Sequence, residues 1–258
     1  MSFPAPGLFW SQDTIGEALR AIAGRVFDRI FPWSCTSCGK EGDSPFCGPC
    51  LGNVRWTGEP QCPCCGLPFA SPPSHLCGRC VAKHPSFRRA RAIACYRARD
   101  EEDDPLGAAL RLLKYAARRG LAGPLSELLA ERFPYDPADF DLVVPVPLHL
   151  TRLRERGFNQ ALLLARTPAR RFGLRLDGEA LVRTKPTASQ VGLSEGERRR
   201  NLVGAISVRR AHSVAGLRVL LVDDVCTTAA TAEASARALR RAGALAVDVL
   251  TVARTLLH

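Results

Sequence analysis

The sequence lacks any apolar run that approaches the roughly 18 residues needed to cross a bilayer. Its first ten residues, MSFPAPGLFW, also lack the basic start and the small-residue cleavage site of a secretory signal. We therefore expect a soluble, cytoplasmic protein without a transmembrane segment. Apolar residues at helical spacing between positions 15 and 31 predict an amphipathic helix in the N-terminal segment, residues 1–32. This helix would either dock on its own protein or lie on a membrane or a partner.

Acidic residues are scarcer than basic ones: 25 Asp and Glu stand against 36 Lys and Arg, which gives a formal net charge of +11. Such an excess favours an acidic partner, and both phosphorylated small molecules and nucleic acid fit it. Much of the excess lies in three arginine-rich stretches: Arg88, Arg89 and Arg91; Arg152, Arg154 and Arg156; Arg198, Arg199 and Arg200. Each stretch is either solvated surface or a site for phosphate, whose geometry the guanidinium fork matches.

Cysteine is almost absent after residue 95, since ten of the eleven cysteines lie between Cys35 and Cys95. This change in composition predicts a domain boundary, with one domain over residues 33–93 and another over residues 94–258. Eight of the cysteines form two sets of two C-x-x-C pairs: Cys35, Cys38, Cys47 and Cys50; Cys62, Cys65, Cys77 and Cys80. Gly39 and Gly66 follow the first pair of each set and suit a tight turn with positive φ.

Each cysteine set provides four soft ligands for a tetrahedral zinc ion, and a reducing cytoplasm disfavours the disulfide alternative. Because all four ligands come from the protein, no position is left for a substrate water. We therefore predict a double zinc ribbon with two structural zinc ions. Cys64 and Cys95 are left over, although Cys64 could compete for the second ion.

Zinc ribbons often bind nucleic acid or protein, and a basic segment starting at Arg88 directly follows this one. Trp56, Phe69 and Phe87 either stack on the bases of a single strand or cap a small core. Single-stranded DNA is therefore one candidate partner.

Strands and helices alternate after about residue 94, which predicts an α/β domain with a parallel sheet. The predicted helices cover residues 106–115, 121–133, 158–166 and 230–242, and the predicted strands cover residues 141–146, 217–222 and 246–252. Pro168 is expected to end or kink the third helix. Residues 184–200 contain Pro186, Gly192 and Gly196 without sustained periodicity and predict a mobile loop over a site.

Two consecutive acids, Asp223 and Asp224, follow the strand predicted over residues 217–222, at the end where open parallel sheets bind ligands. Small and hydroxyl-bearing residues then lead into a helix: Val225, Cys226, Thr227, Thr228, Ala229, Ala230 and Thr231. Backbone N–H groups at a helix start can hold a phosphate, and carboxylates can accept hydrogen bonds from vicinal ribose hydroxyls. The pattern thus predicts a ribose 5-phosphate site. A strand end with N-capping Asp and Thr residues is the alternative.

The stretch VLLVDDVCTTAAT, residues 219–231, resembles the motif that binds 5-phosphoribosyl-1-pyrophosphate (PRPP) in type I phosphoribosyltransferases. From about Cys35 onward the chain resembles the competence protein F family, which joins a double zinc ribbon to a phosphoribosyltransferase-like domain. This resemblance also rests on LLKY (112–115), VPVPL (144–148), RLRERGFNQ (152–160), TASQ (187–190) and ERRRN (197–201). It implies a type I phosphoribosyltransferase-like parallel sheet with flanking helices.

The resemblance also implies roles for individual residues. Asp223 and Asp224 would hold the ribose diol and residues 227–231 the 5-phosphate, with magnesium bound chiefly through PRPP. Arg152, Arg154 and Arg156 would contact the pyrophosphate. Ala229 departs from the motif, which usually has glycine there. Alanine would cost about 1 kcal/mol if this position needs positive φ, and nothing if its φ is negative.

Three functions are compatible with this resemblance. The protein could transfer the phosphoribosyl group from PRPP to an acceptor that the sequence does not identify. It could bind single-stranded DNA during DNA uptake and natural transformation, together with competence or DNA-processing proteins. It could also sense PRPP without turning it over.

Overall fold

The structure is a computed structural model, and it describes residues 32–96, 104–184 and 204–256. The predicted N-terminal helix and the predicted loop over residues 184–200, with its arginine triplet, lie outside these ranges apart from Pro32 and Thr184. The family motifs at residues 187–190 and 197–201 also lie outside them. Among the described helices, each is too short or too polar to reach from one side of a membrane to the other.

The two cysteine sets form two small ribbons. The first contains strands β1 (Trp33–Ser34) and β2 (Glu41–Gly42) and helix α1 (Gly48–Gly52), and the second contains helix α2 (Gly78–Lys83). Gly39 and Gly66 have φ values of 73° and 69°, which confirms the tight turns expected after the first C-x-x-C pair of each set.

A five-stranded parallel sheet forms the centre of the molecule. Its strands are β3 (Arg89–Tyr96), β4 (Leu142–Pro145), β5 (Arg175–Leu176), β8 (Arg218–Cys226) and β9 (Ala246–Thr255). They lie in the order β3-β9-β8-β4-β5. A separate antiparallel pair consists of β6 (Leu181–Arg183) and β7 (Ile206–Val208).

Helices cover both faces of this sheet. They are α3 (Pro105–Tyr115), α4 (Ala122–Glu131), α5 (Leu150–Arg156), α6 (Gln160–Arg171) and α7 (Ala230–Arg241). Side chains of β8 alternate between two cores: Leu220 and Val222 pack with α3, α4 and α6, whereas Val219 and Leu221 pack with α7. The predicted parallel α/β sheet with flanking helices is confirmed.

The two ribbons lie on opposite faces of the sheet, on either side of its edge strand β3. Phe46 and Val54 of the first ribbon join the core of α3, α4 and α6. The four cysteines of the second ribbon join the core of α7. Both ribbons also hydrogen-bond to β3, since Cys95 N donates to Arg55 O (2.7 Å) and Ala90 N donates to Cys64 O (2.7 Å). The ribbons therefore cover an edge that would otherwise present unpaired backbone groups.

Sequence reasoning missed β3 and treated the residues from Arg88 onward as a basic tail. In the structure, Arg89 and Arg91 alternate with the buried Ala90 and Ala92, so the segment has the period of a half-buried strand. The strand crosses the domain boundary that was predicted after residue 93.

Pro168 does not end the helix that was predicted to stop before it, because α6 continues to Arg171. Proline lacks the N–H that would bond to Leu164 O, one turn earlier. The hydroxyl of Ser126 on α4 takes its place and donates to Leu164 O (2.8 Å), and it also accepts from Thr167 N (3.2 Å). A neighbouring helix thus satisfies the carbonyl that proline leaves without a donor.

Candidate functional site

Strand β8 continues through both acids to Cys226, so Asp223 and Asp224 lie within the strand and not in the loop after it. This extension arises because β9 runs on to Thr255 and pairs Asp223 with Thr251 and Cys226 with Arg254. Successive residues of a strand point to opposite faces, and the two carboxylates therefore occupy different surroundings.

Asp224 is buried, with 4% of its surface exposed, and pairs with a lysine of α3. The Nζ atom of Lys114 lies 3.1 Å from its Oδ1 atom, which also accepts from Val225 N at 2.7 Å. Its Oδ2 atom is buried without a hydrogen-bond partner among the described residues. Burial opposes the charge of Lys114, but Asp224 and Asp223 outweigh it and raise the lysine pKa. Asp224 therefore has a cationic neighbour and one oxygen still able to accept.

Asp223 has a strongly shifted acidity. Burial, together with the adjacent charge of Asp224, raises the pKa of its carboxyl to about 7, against the opposing effects of the hydrogen bond from Asp224 N and of Lys114 and Arg183. Its Oδ1 atom accepts from Asp224 N at 2.9 Å. This carboxyl thus changes charge near neutral pH.

The arginines predicted to face pyrophosphate lie on α5, and the structure distinguishes among them. Burial lowers the pKa of Arg183 on β6, and the nearby charge of Arg152 lowers it further. Arg156 is half-buried and donates to Gln160 Oε1 (2.7 Å). Arg154 is exposed on the opposite side of α5 from Arg152. The structure therefore brings Arg183 near Asp223 and Arg152 near Arg183, and it leaves Arg154 on the opposite side of α5.

The loop after β8 leads into α7 through an alanine in the left-handed region. Ala229 has φ 59° and ψ 13° and is the N-cap residue of α7. Side chains of Asp104, His149 and Asn159 cap the starts of α3, α5 and α6, whereas no side chain at the N-cap position caps α7. The N-cap position therefore contributes no side-chain acceptor to the first turn of α7, where the helix dipole favours an anion.

Sequence reasoning missed Lys114 and Arg183 as site residues. Lys114 belongs to the LLKY motif, which was noted without a role, and only the parallel sheet brings α3 next to Asp224. No local pattern marks Arg183, because it lies on the small antiparallel pair formed by β6 and β7.

A buried arginine connects the end of β8 to the second ribbon. Arg254 is 3% exposed, and its Nη1 atom donates to Cys65 O (2.6 Å) and to Cys226 Sγ (3.3 Å). Its Nη2 atom donates to Cys65 Sγ (3.6 Å). Within the described ranges, Arg254 has no carboxylate in ion-pair distance.

The two predicted cysteine sets are assembled as compact four-sulfur clusters. Within each set the sulfur atoms all lie within 4.8 Å of one another. Cys38 and Cys47 are 3.7 Å apart, and so are Cys65 and Cys77. A tetrahedron of 2.3 Å zinc–sulfur bonds has edges of about 3.8 Å, so both clusters fit zinc. A zinc ion bound to Cys65 would leave its thiolate beside the positive charge of Arg254. Cys64 and Cys95 belong to neither cluster.

The arginines considered for DNA contact have partners within the fold. Arg88 and Arg89 both bind the fully buried Asp248, each with an N–O distance of 2.6 Å, and Arg89 also binds Asp139 at 2.8 Å. Arg91 donates to Ala90 O at 2.9 Å. Arg88 and Arg89 therefore fix the start of β3 against β9.

The aromatic residues considered for base stacking also pack against the protein. Phe87 is 3% exposed and belongs to the core of α7. The guanidinium of Arg132 lies 3.4 Å from the ring centroid of Trp56, and Phe69 stacks on His75 at 4.0 Å. In this structure the three rings serve packing.

Comparison with protein families gives two matches. Residues 26–81 match the double zinc ribbon domain, and residues 159–256 match the phosphoribosyl transferase domain.

Relatives match over most of the chain. The DNA utilization protein YhgH of Escherichia coli K12 is 37% identical over 230 residues, which cover 87% of this chain and 96% of the relative. Competence protein F of Haemophilus influenzae is 29% identical over 227 residues, covering 85% and 90% of the two chains. Competence protein ComFC of Bacillus subtilis is 27% identical over 219 residues, covering 83% and 85%.

Solved structures with a similar fold include the glutamine PRPP amidotransferase of B. subtilis, at 22% identity and a TM-score of 0.36. That match covers 51% of this chain and 26% of the other. A purine phosphoribosyltransferase of Pyrococcus horikoshii matches at 15% identity and a TM-score of 0.29, covering 55% and 85% of the two chains.

Proposed function

Because the chain belongs to the competence protein F family, which joins a double zinc ribbon to a phosphoribosyltransferase domain, we propose that it binds PRPP with Mg²⁺ at the carboxyl end of β8. Its role in the cell would be of the DNA-utilisation type that the names of its relatives describe.

One observation carries this proposal: two adjacent acids and a helix start without a side-chain cap at its N-cap position follow one another on a single strand–loop–helix unit. A phosphate monoester needs backbone N–H donors, which the first turn of α7 offers. A ribose diol needs acceptors, and Asp224 Oδ2 is a buried acceptor without a partner in the described structure. A ribose 5-phosphate has both groups in one molecule.

Each neighbouring cation has a role in this proposal. Lys114 would place a positive charge 3.1 Å from Asp224 Oδ1 and so favour the carboxylate that accepts hydrogen bonds from the ribose diol. Arg183 would supply positive charge near Asp223, and Arg152 would add to it beside Arg183, where the pyrophosphate of PRPP needs it. Magnesium would enter with the substrate and bind mainly to phosphate oxygens, as this ion prefers.

Transfer of the phosphoribosyl group would require a further step. The bond between the anomeric carbon and pyrophosphate breaks, positive charge develops on the sugar, and a nucleophile forms the new bond. An enzyme accelerates this step mainly by positioning the groups and stabilising charge. The described residues supply the PRPP half of such a site.

Isothermal titration with PRPP and Mg²⁺ tests the proposal. We expect saturable binding to the wild type and its loss in the double variant Asp223→Asn, Asp224→Asn. The matched control is Glu41→Gln with Asp43→Asn, which removes two exposed carboxylates of the first ribbon and should leave binding unchanged. Absence of PRPP binding to the folded wild type would refute the proposal. Pyrophosphate release in the presence of candidate bases and amines then separates an enzyme from a sensor.

Single-strand DNA binding is the second candidate function, and the names of the relatives favour it. Substituting Arg88 and Arg89 is a poor test, because loss of their ion pairs with Asp248 would destabilise the sheet. Binding of an oligothymidylate should instead be measured against salt concentration, since contacts with phosphates weaken steeply as salt rises. Affinity that does not change with salt would exclude this function.

A further inference from the structure

A cavity of about 330 Å³ lies between the second ribbon and α7, apart from the two acids of β8. One wall is α2 of the ribbon, and the other is the lateral face of α7 from Ala230 to Arg241. We refer to it as the ribbon–α7 cavity. At one end it is lined by Thr228, Ala229 and Ala230, where it adjoins the proposed PRPP site, while Asp223 and Asp224 are not among its lining residues.

The charge of the ribbon–α7 cavity is strongly positive. Arg79 and Lys83 contribute from α2, Arg237 and Arg241 contribute from α7, and Arg254 contributes from β9. Among the described lining residues, Glu233 is the only carboxylate, and its oxygens accept from Ser86 N, from Ser86 Oγ and from Arg237. Cys65 and Cys80 of the second cysteine cluster also line the cavity and would bring negative charge when zinc is bound. The five cations still exceed these negative charges, which favours an anionic ligand.

Part of the lining is apolar. Phe87 and Ile206 are buried at 3% and 7% exposure, and Ala234 and Ala238 of α7 lie beside them. Cations on two facing walls with an apolar surface between them suit a ligand that has both a phosphate and a flat apolar group. The volume is at the lower end of the range for small-molecule sites, so it holds one small ligand and not a length of strand.

We propose that the ribbon–α7 cavity binds a nucleoside monophosphate at a second site, separate from the one at Asp223 and Asp224. The phosphate would lie between Lys83 of the ribbon and Arg237 and Arg241 of α7. The base would lie against Phe87 and Ile206. The ligand would thereby connect the ribbon to the helix that begins at the phosphate loop.

Adenosine 5′-monophosphate and uridine 5′-monophosphate serve as probes, one purine and one pyrimidine, in a titration without PRPP. We expect at least one to bind saturably, with adenosine, uridine and inorganic phosphate each binding more weakly. Affinity should fall about tenfold or more in Arg237→Ala with Arg241→Ala, because each lost arginine removes a charge-assisted hydrogen bond. Lys83→Glu should weaken binding as well, since the site needs both walls.

Two controls separate this site from others. Arg171→Ala removes an exposed arginine at the end of α6 and should not change the affinity. The double variant Asp223→Asn, Asp224→Asn should keep nucleotide binding even where PRPP binding is lost, so this inference and the proposed function can fail independently. Arg237, Arg241 and Lys83 are exposed, so their substitution should not unfold the protein, and a loss of affinity would then reflect the site itself. A melting curve of each variant checks that it is folded.

Three outcomes would overturn the inference. The first is that neither nucleotide binds the folded wild type. The second is that binding is lost in the aspartate variant and kept in the arginine variant, which would place the nucleotide at the ribose site. The third is that a 20-nucleotide oligothymidylate binds more tightly than either mononucleotide and loses affinity in the same cavity variants, which would assign the surface to nucleic acid.

Discussion

At the scale of single residues, Ala229 has a left-handed backbone conformation at the start of α7, within the proposed phosphate site. An L-residue in the left-handed region is destabilised by contact between its Cβ atom and the backbone, and glycine escapes this cost. Ala229→Gly should therefore raise the free energy of unfolding by about 1 kcal/mol and strengthen PRPP binding. Urea unfolding measures the first effect and titration the second.

Ala117→Gly is the matched control, because Ala117 also has positive φ (50°) but lies in an exposed turn after α3. It should stabilise the fold similarly without changing PRPP affinity. If both variants change ligand affinity equally, the conformation of Ala229 has no special role in binding.

Asp223 should make stability and ligand binding depend on pH in opposite directions. Its pKa is about 7 in the fold against an ordinary value of 3.8, so the folded protein retains a proton that the unfolded chain releases. The free energy of unfolding should therefore fall as pH rises from about 4 to about 7 and then level off. PRPP affinity should rise over the upper part of this interval, because the ionised carboxylate accepts from both ribose hydroxyls.

Subtracting the pH profile of Asp223→Asn from that of the wild type isolates the effect of this carboxyl. Chemical unfolding and titration at several pH values supply the two profiles. A difference that stays constant between about pH 5 and about pH 8 would contradict the shifted acidity.

At the scale of elements, the contact between α4 and α6 offers a test by double substitution. Ser126→Ala removes the donor to Leu164 O and the acceptor of Thr167 N, and it should cost about 1–3 kcal/mol of unfolding free energy. Adding Pro168→Ala restores the N–H that Leu164 O lacks, so the double variant should regain part of the loss. Urea unfolding of the two single variants and the double variant measures this coupling. Equal costs of Ser126→Ala with and without Pro168 would show that the hydroxyl does not replace the missing donor.

Some of the helices and strands could be predicted from the sequence alone, and others could not. Periodicity located α3, α4, α7, β4, β8 and β9 within a few residues, because each has a regular apolar face. It failed for α6 beyond Pro168, because the compensating hydroxyl comes from another helix. It failed for β3, because arginines paired with Asp248 resemble solvated ones in the sequence. The acids and the loop of the candidate site were foreseen, whereas Lys114 and Arg183 are brought there by tertiary packing alone.

At the scale of the whole molecule, we expect the buried Arg254 to couple zinc binding at the second cluster to PRPP binding at the loop after β8. Its guanidinium contacts Cys65 in one ribbon and Cys226 in the strand that ends at the loop. Cys80→Ser should lower zinc content, free Arg254 from the negative cluster beside it and weaken PRPP binding by about tenfold or more. Zinc analysis and titration measure the two effects.

Cys50→Ser is the matched change in the first cluster, which does not contact Arg254. It should lower zinc content to the same extent while leaving PRPP binding nearly intact. Equal losses of PRPP affinity in the two variants would mean that the ribbons act only through overall stability.

The position of β9 in the sheet has a consequence for how the chain folds during synthesis. β9 follows the other described strands along the chain, yet it is an interior strand of the sheet, with the edge strand β3 on one side and β8 on the other. Arg89 pairs with Asp248, so the ribosome must make the intervening chain before β3 gains its neighbour. Contacts between such distant positions form slowly, and until they form the strands expose edges that favour aggregation. The zinc-binding cysteines of each ribbon are close in sequence, so the ribbons can bind zinc early. They would then cover one edge of β3 before β9 has been synthesised.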